Sequence, residues 1–127
     1  MDRQGSTEGG DDSPIAIPLN EVRRERLGMP VTFQRRELDL ILRLYGRMVA
    51  ANEWRDYAMD HLQDRAVFSV FRRTSETPLY SITKTPAAAR RQGMWSVTSA
   101  SGMILRRGHE LARVLSVFDS KLRLVDA

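Results

Sequence analysis

The chain has 127 residues, enough for one domain, with no cysteine and a formal net charge of +4. The absent thiols exclude a disulfide framework, thiolate metal sites and a cysteine nucleophile, and they fit a reducing, cytoplasmic location. No apolar run approaches the ~18 residues of a membrane span. The opening MDRQGSTEGGDDSP has no hydrophobic signal core, so neither membrane insertion nor export is expected.

Charge is unevenly placed along the chain. Residues 1–30 carry four arginines against six acids, whereas residues 31–127 carry sixteen basic groups against ten acidic ones. Between 65 and 107 stand eight basic residues and a single acid, Glu76. Eighteen of the twenty basic residues are arginine, whose planar fork suits bidentate contacts to phosphate or carboxylate.

Residues 1–14 have the small, polar, acidic composition of a disordered tail. Pro14-Ile15-Ala16-Ile17-Pro18 is too short for a core element. It reads either as a linker touching the domain or as a docking peptide that adds to a sheet edge, in this molecule or another. Residues 20–28 predict a short helix with Asn20 as N-cap, Glu21 in the first turn and Gly28 as the stop. About two turns do not persist alone, so this helix forms only when docked. The division is therefore an arm, 1–30, and a single domain, 31–127.

A long helix is expected from near Thr32 to Ala51, with Asn52 as a left-handed terminator. Its apolar stripe is Leu38, Ile41, Leu42, Tyr45, Met48 and Val49. Leu40 and Leu44 widen the apolar surface toward the arm or a second subunit, and Gly46 suggests a close backbone contact. Residues 53–62 are either a first strand or a loop pinned by Trp54 and Tyr57. Residues 66–71 and 79–82 are apolar runs around the breaker Thr74-Ser75-Glu76-Thr77-Pro78, which predicts a β-hairpin. Pro86 opens a loop or single helical turn over 85–93. Residues 94–99 alternate as a strand, Ser101-Gly102 turns, and 103–107 form the last strand, closed by Gly108. Leu111, Val114, Leu115, Phe118 and Leu122 then mark a second amphipathic helix over 109–122. The fold class is α+β: an antiparallel sheet of three to five strands, in the order α-β-β-β-β-α, with the helices on one face.

The stretches RRELDLILRLYGRMVAANEWRDYAMDHLQDRAVFSVFRR, PLYSITK, RRQGMWSV and SGMILRRGHELARVLSVFDSKLRLVD resemble a family of small alphaproteobacterial proteins known as domain of unknown function 2794. The resemblance covers roughly residues 33–126. It implies a bacterial single-domain protein and carries no activity, cofactor or catalytic residue with it.

Chemistry-bearing constellations are sparse. His61 lies between Asp60 and Asp64, but one histidine and two acids fall short of a converging ligand set. His109-Glu110 opens the last helix, where capping and the helix dipole account for both residues. Serines 96, 99 and 101 lack a nucleophile elbow. No catalytic residue, metal site or cofactor is therefore assigned, and the chain reads as a non-enzymatic binding protein. The candidate contacts to nucleic-acid phosphate are Arg72, Arg73, Lys84, Arg90, Arg91, Arg106 and Arg107, placed by the strands on a sheet rim. That rim disappears if these groups pair with Asp56, Asp60, Asp64 or Glu76. Phe68, Tyr80 and Trp95 alternate with polar neighbours and are assigned to the core rather than to base stacking. The alternative is a protein partner bound through residues 14–28 or a sheet edge, including a second copy in a homodimer.

Overall fold

A computed structural model describes residues 19–73 and 77–120, without the side chain of Glu25. Helix α1 (Leu19–Arg26) precedes helix α2 (Arg35–Ala50), and five strands follow: β1 (Asp56–His61), β2 (Ala66–Phe71), β3 (Tyr80–Lys84), β4 (Trp95–Ser99) and β5 (Ile104–Gly108). A single 3-10 turn, Pro86–Ala88, lies between β3 and β4, and α3 (Leu111–Leu115) runs into a second, Ser116–Phe118. Each strand pairs antiparallel with the next, so the sheet order equals the chain order. The fold is α+β.

Strand alternation sorts the sheet into two faces. On one face the register aligns Ala66, Lys84, Trp95 and Gly108 in a row, then Met59, Phe68, Ile82, Val97 and Arg106, then Tyr57, Val70, Tyr80 and Ser99. Ile41, Leu44 and Met48 of α2 and Leu111, Val114 and Leu115 of α3 join Phe68, Val70, Ile82, Trp95 and Val97 of this face in one buried cluster. Burying side chains of this size stabilises by about 1.5–3 kcal/mol each relative to leaving them exposed. Opposite lie short side chains, among them Ser69, Ser81, Thr83, Ser96 and Thr98, together with Arg107.

Several local expectations shift. Helix α2 starts at Arg35 with Gln34 as its cap, where the Gln34 N–H donates to the Glu37 carboxylate. Its buried stripe is Ile41, Leu44 and Met48, while Leu42 and Val49 are exposed. The helix is rotated so that Leu44 faces the core alongside α3, a packing that periodicity within one helix cannot reveal. A Cβ added at Gly46 would meet nothing within 4 Å, so the expected close contact is absent. Asn52 does take the left-handed conformation, with φ 64°. Residues 56–61 are a strand. Asn20 lies inside α1 rather than before it. The last helix starts at Leu111 rather than 109, with Glu110 as its cap, and helical structure continues to residue 120, the last one described. Leu122 lies outside the described residues, as do Pro14 to Pro18 and Glu76.

Candidate functional site

The arginines fall into two groups at opposite ends of the sheet. Arg72 and Arg73 follow the end of β2, where Phe71 pairs with Asp56. Arg90 and Arg91 sit in the β3–β4 loop, at the end where Lys84, Trp95 and Gly108 align. Five residues of strand separate the rows of Ala66 and Phe71, roughly 17 Å. The loop is pressed onto β5 at its glycines. A Cβ built on Gly93 would lie 2.3 Å from the Gly108 carbonyl carbon and oxygen, and Gly93 has φ +106°. Arg90 and Arg91 are thereby carried to the Gly108 end of the strand that holds Arg106 and Arg107.

Pairing also divides the groups. Arg65 binds Asp64 at 3.1 Å, Arg72 reaches Glu53 at 4.0 Å, and Arg113 meets Glu110 at 3.2 Å. Among the described residues no carboxylate lies in ion-pair range of Arg73, Arg90, Arg91, Arg106 or Arg107. Arg106 shares the helix-covered face, where its guanidinium donates to the Arg113 carbonyl at 3.0 Å and to Ser116 Oγ at 2.8 Å. It therefore fastens the end of α3. Beside it, His109 Nδ1 is buried with no hydrogen-bond partner. His109 lines an open hollow of about 490 Å³ with Arg106, Arg107 and Arg113.

Lys84 leaves the rim altogether. It stands on the same sheet face as Tyr80 and Ile82, and its side chain is fully buried. The ammonium donates to Glu37 Oε1 at 2.7 Å, to the Thr32 carbonyl at 2.9 Å and to Glu21 Oε2. It also lies 5.9 Å from the centre of the Trp95 ring, a cation–π distance. Glu37 takes a second bond, from the Gln34 N–H at 2.7 Å, so the residue that closes the first turn of α2 also neutralises the lysine. A buried ammonium requires such partners, because an unpaired charge in the interior is very costly. It cannot serve as a surface phosphate contact.

Glu21 is the residue the sequence did not single out for chemistry. It comes from α1, and its side chain is only 9% exposed. Burial pushes its carboxyl above the ordinary range and Glu37 pushes the same way, against the pull of the Lys84 bond. Its Oε1 has no partner. One ammonium thus faces two carboxylates, and one of them arrives on a separate helix. Next to the trio is a hollow of about 170 Å³ lined by Glu21, Arg24, Met29 to Thr32, Gln63, Asp64, Pro86 and Ala87. The arm is further fixed by Gln63 Nε2 to the Gly28 carbonyl at 2.7 Å, and the segment just after it by the Val31 N–H to the Leu62 carbonyl at 2.8 Å.

His61 and Asp60 point to opposite faces of β1, so they cannot ligate one ion together; His61 packs edge-on to Phe33, 6.1 Å between ring centres. Among the described residues no three His, Asp or Glu side chains converge as a metal site. No helix among them is long and apolar enough to cross a membrane. Phe68, Val97 and Trp95 are core, as alternation implied.

Fold and site together define a small α+β domain: a five-stranded meander with helices on one face, a buried lysine bridging the arm to the domain, and an arginine corner on its last strand. The chain belongs to the family described as protein of unknown function (DUF2794), whose model matches residues 31–115. No curated protein and no solved structure matches it. The matched stretch contains Glu37 and Lys84 but begins after Glu21.

Proposed function

We propose that this chain is a non-enzymatic binding protein that takes nucleic-acid phosphates on Arg90, Arg91, Arg106 and Arg107. One observation carries the reading: the Gly93–Gly108 contact brings the loop that carries Arg90 and Arg91 to the end of the strand that carries Arg106 and Arg107, one on each face of the sheet, and none of the four has a carboxylate in ion-pair range among the described residues. Clustered, unneutralised arginines attract a polyanion and release its counterions on contact. Arg73 is a second, separate contact at the far end. A cysteine-free, net basic chain fits a cytoplasmic location for this activity.

Binding of a short mixed-sequence duplex, followed by fluorescence anisotropy across a salt series, tests the proposal. Each phosphate contact contributes a slope of about −0.9 in log affinity against log salt for a duplex. The double replacement Arg90→Ala and Arg91→Ala should flatten the slope by about 1.8. Salt-independent binding, or none at low salt, overturns it. A protein partner on the β5 edge is the second reading, supported by the exposed side chains of Met103, Ile104 and Leu105. If Ile104→Arg abolishes association with a protein and spares duplex binding, that second reading gains its own footing.

A further inference from the structure

We propose that residues 11–17 of a second copy add to the outer edge of β5 as an antiparallel strand, giving a dimer by reciprocal exchange of arms. The proposal stands independently of nucleic-acid binding. Among the described residues β5 is the last strand of the sheet, and one row of its backbone N–H and C=O groups has no neighbouring strand there. Its side chains leading into the arginines are apolar and in water: Met103 is 63% exposed, Ile104 48% and Leu105 38%. An apolar, uncovered edge strand is a template for another strand, and most proteins blunt it with charge or cover.

Read along β5, the chemistry runs from apolar at 103–105 to cationic at Arg106 and Arg107. The arm runs the opposite way, with Asp11-Asp12 first and Ile15-Ala16-Ile17 after it. An antiparallel strand matches both ends at once: with Asp12 opposite Arg107, Ile15 falls opposite Ile104 in a regular ladder, and opposite the equally apolar Met103 where the extra residue at Leu105 carries into the new pairing. Opposite charges and apolar pairs across a ladder each contribute about 0.2–1 kcal/mol. A parallel strand would set the aspartates against Met103 and the isoleucines against the arginines. Two β5 strands paired about their centre would set Arg106 against Arg106, which is repulsive. Residues 1–18 hold four acids and one arginine, so the whole segment complements this corner. Pro14 and Pro18 are tolerated on a strand whose other side is open.

Reach decides which copy supplies the arm. Helix α1 is held to its own domain where Glu21 meets Lys84, and Lys84 is level with Gly108, two strands away. In the matching register, Ile17 lies beyond Met103, roughly 20 Å along β5 from Gly108 and about 14 Å across from β3, three strand spacings away. The four steps from Ile17 to Glu21, two extended and two helical, cover only about 10 Å. A carboxylate side chain does not close the gap. A chain cannot place its own arm there while α1 stays docked, and a neighbour's arm has no such tether.

Light scattering on the full chain over a concentration series gives the test, with removal of residues 1–18 as the first variant, since it retains α1 and Glu21. The full chain should be a dimer that dissociates on dilution, and the shortened chain a monomer throughout. Arg107→Glu should weaken the dimer at least tenfold, as should Asp11→Lys with Asp12→Lys. Combining the reversals should recover most of that loss. A full chain that is monomeric at every concentration overturns the proposal. So does a dimer indifferent to loss of residues 1–18, or reversals that do not rescue each other. The arm variants replace no residue of the buried core, so they stay informative even if Arg107→Glu perturbs folding.

Discussion

Replacing Lys84 by methionine keeps the length of the side chain and deletes its charge. The ammonium is fully buried and shared by Glu21, Glu37 and the Thr32 carbonyl. Without it, two carboxylates from different helices face each other in the interior. Removing one partner of a buried pair costs about 3–5 kcal/mol. Two escapes soften this: Glu37 keeps the Gln34 N–H, and Glu21 can take up a proton or leave with α1. The expected loss is therefore near the lower bound, about 3 kcal/mol, a large share of the roughly 5–15 kcal/mol that holds a domain together. Urea unfolding at neutral pH, followed by the fluorescence of the buried Trp54 and Trp95, measures it. Amide exchange at Val31, whose N–H is bonded to Leu62, reports separately on the arm. Converting the whole trio, Lys84→Met with Glu21→Gln and Glu37→Gln, should restore most of the loss, because neutral groups of similar shape replace a buried ion cluster at little cost. A loss below about 1 kcal/mol, or a triple variant no better than the single one, would refute the reasoning.

Three further outcomes follow from the same geometry. Glu21 has its pKa raised in the docked state, so its contribution to arm docking is complete below the ordinary carboxylate range and declines as pH rises through the raised value. Exchange at Val31 should accelerate over that interval, and Glu21→Gln should remove the dependence. Gly93→Ala would put a methyl 2.3 Å from the Gly108 backbone at a φ of +106°, so a loss of at least about 2 kcal/mol is expected in thermal or urea unfolding. Gly46→Ala meets open space in the middle of α2 and should stabilise by about 0.5–1 kcal/mol, the ordinary helix preference of alanine over glycine; destabilisation would mean an unseen contact.

Lys84 also marks how far strand periodicity can be taken. Alternation in Tyr80-Ser81-Ile82-Thr83-Lys84 puts Tyr80 and Ile82 on the core face, and the same step of two places Lys84 there. The signal was present, but a terminal lysine on a strand is ordinarily solvated, and nothing local announces two carboxylates 47 and 63 residues away. Among the arginines, the predicted hairpin order already implies that Arg72 and Arg73 stand at the opposite end from Arg90 and Arg91, and a reading of all of them as one rim overlooks it. A hairpin reverses direction at each turn, so neighbours in sequence alternate between ends of the sheet.

Composition and period alone decided the class of fold: two apolar helices around a run of short alternating strands, with turns at Ser101-Gly102 and a left-handed stop at Asn52. These are local consequences of side-chain size, backbone freedom and spacing, and they survive any arrangement of the elements. The rotation of α2 that buries Leu44 required α3 to be packed beside it. The union of Glu21, Glu37 and Lys84 required an arm, a helix and a strand to meet. Such pairings bring together residues far apart in the chain, and only the tertiary structure closes the distance over which a buried charge can be satisfied.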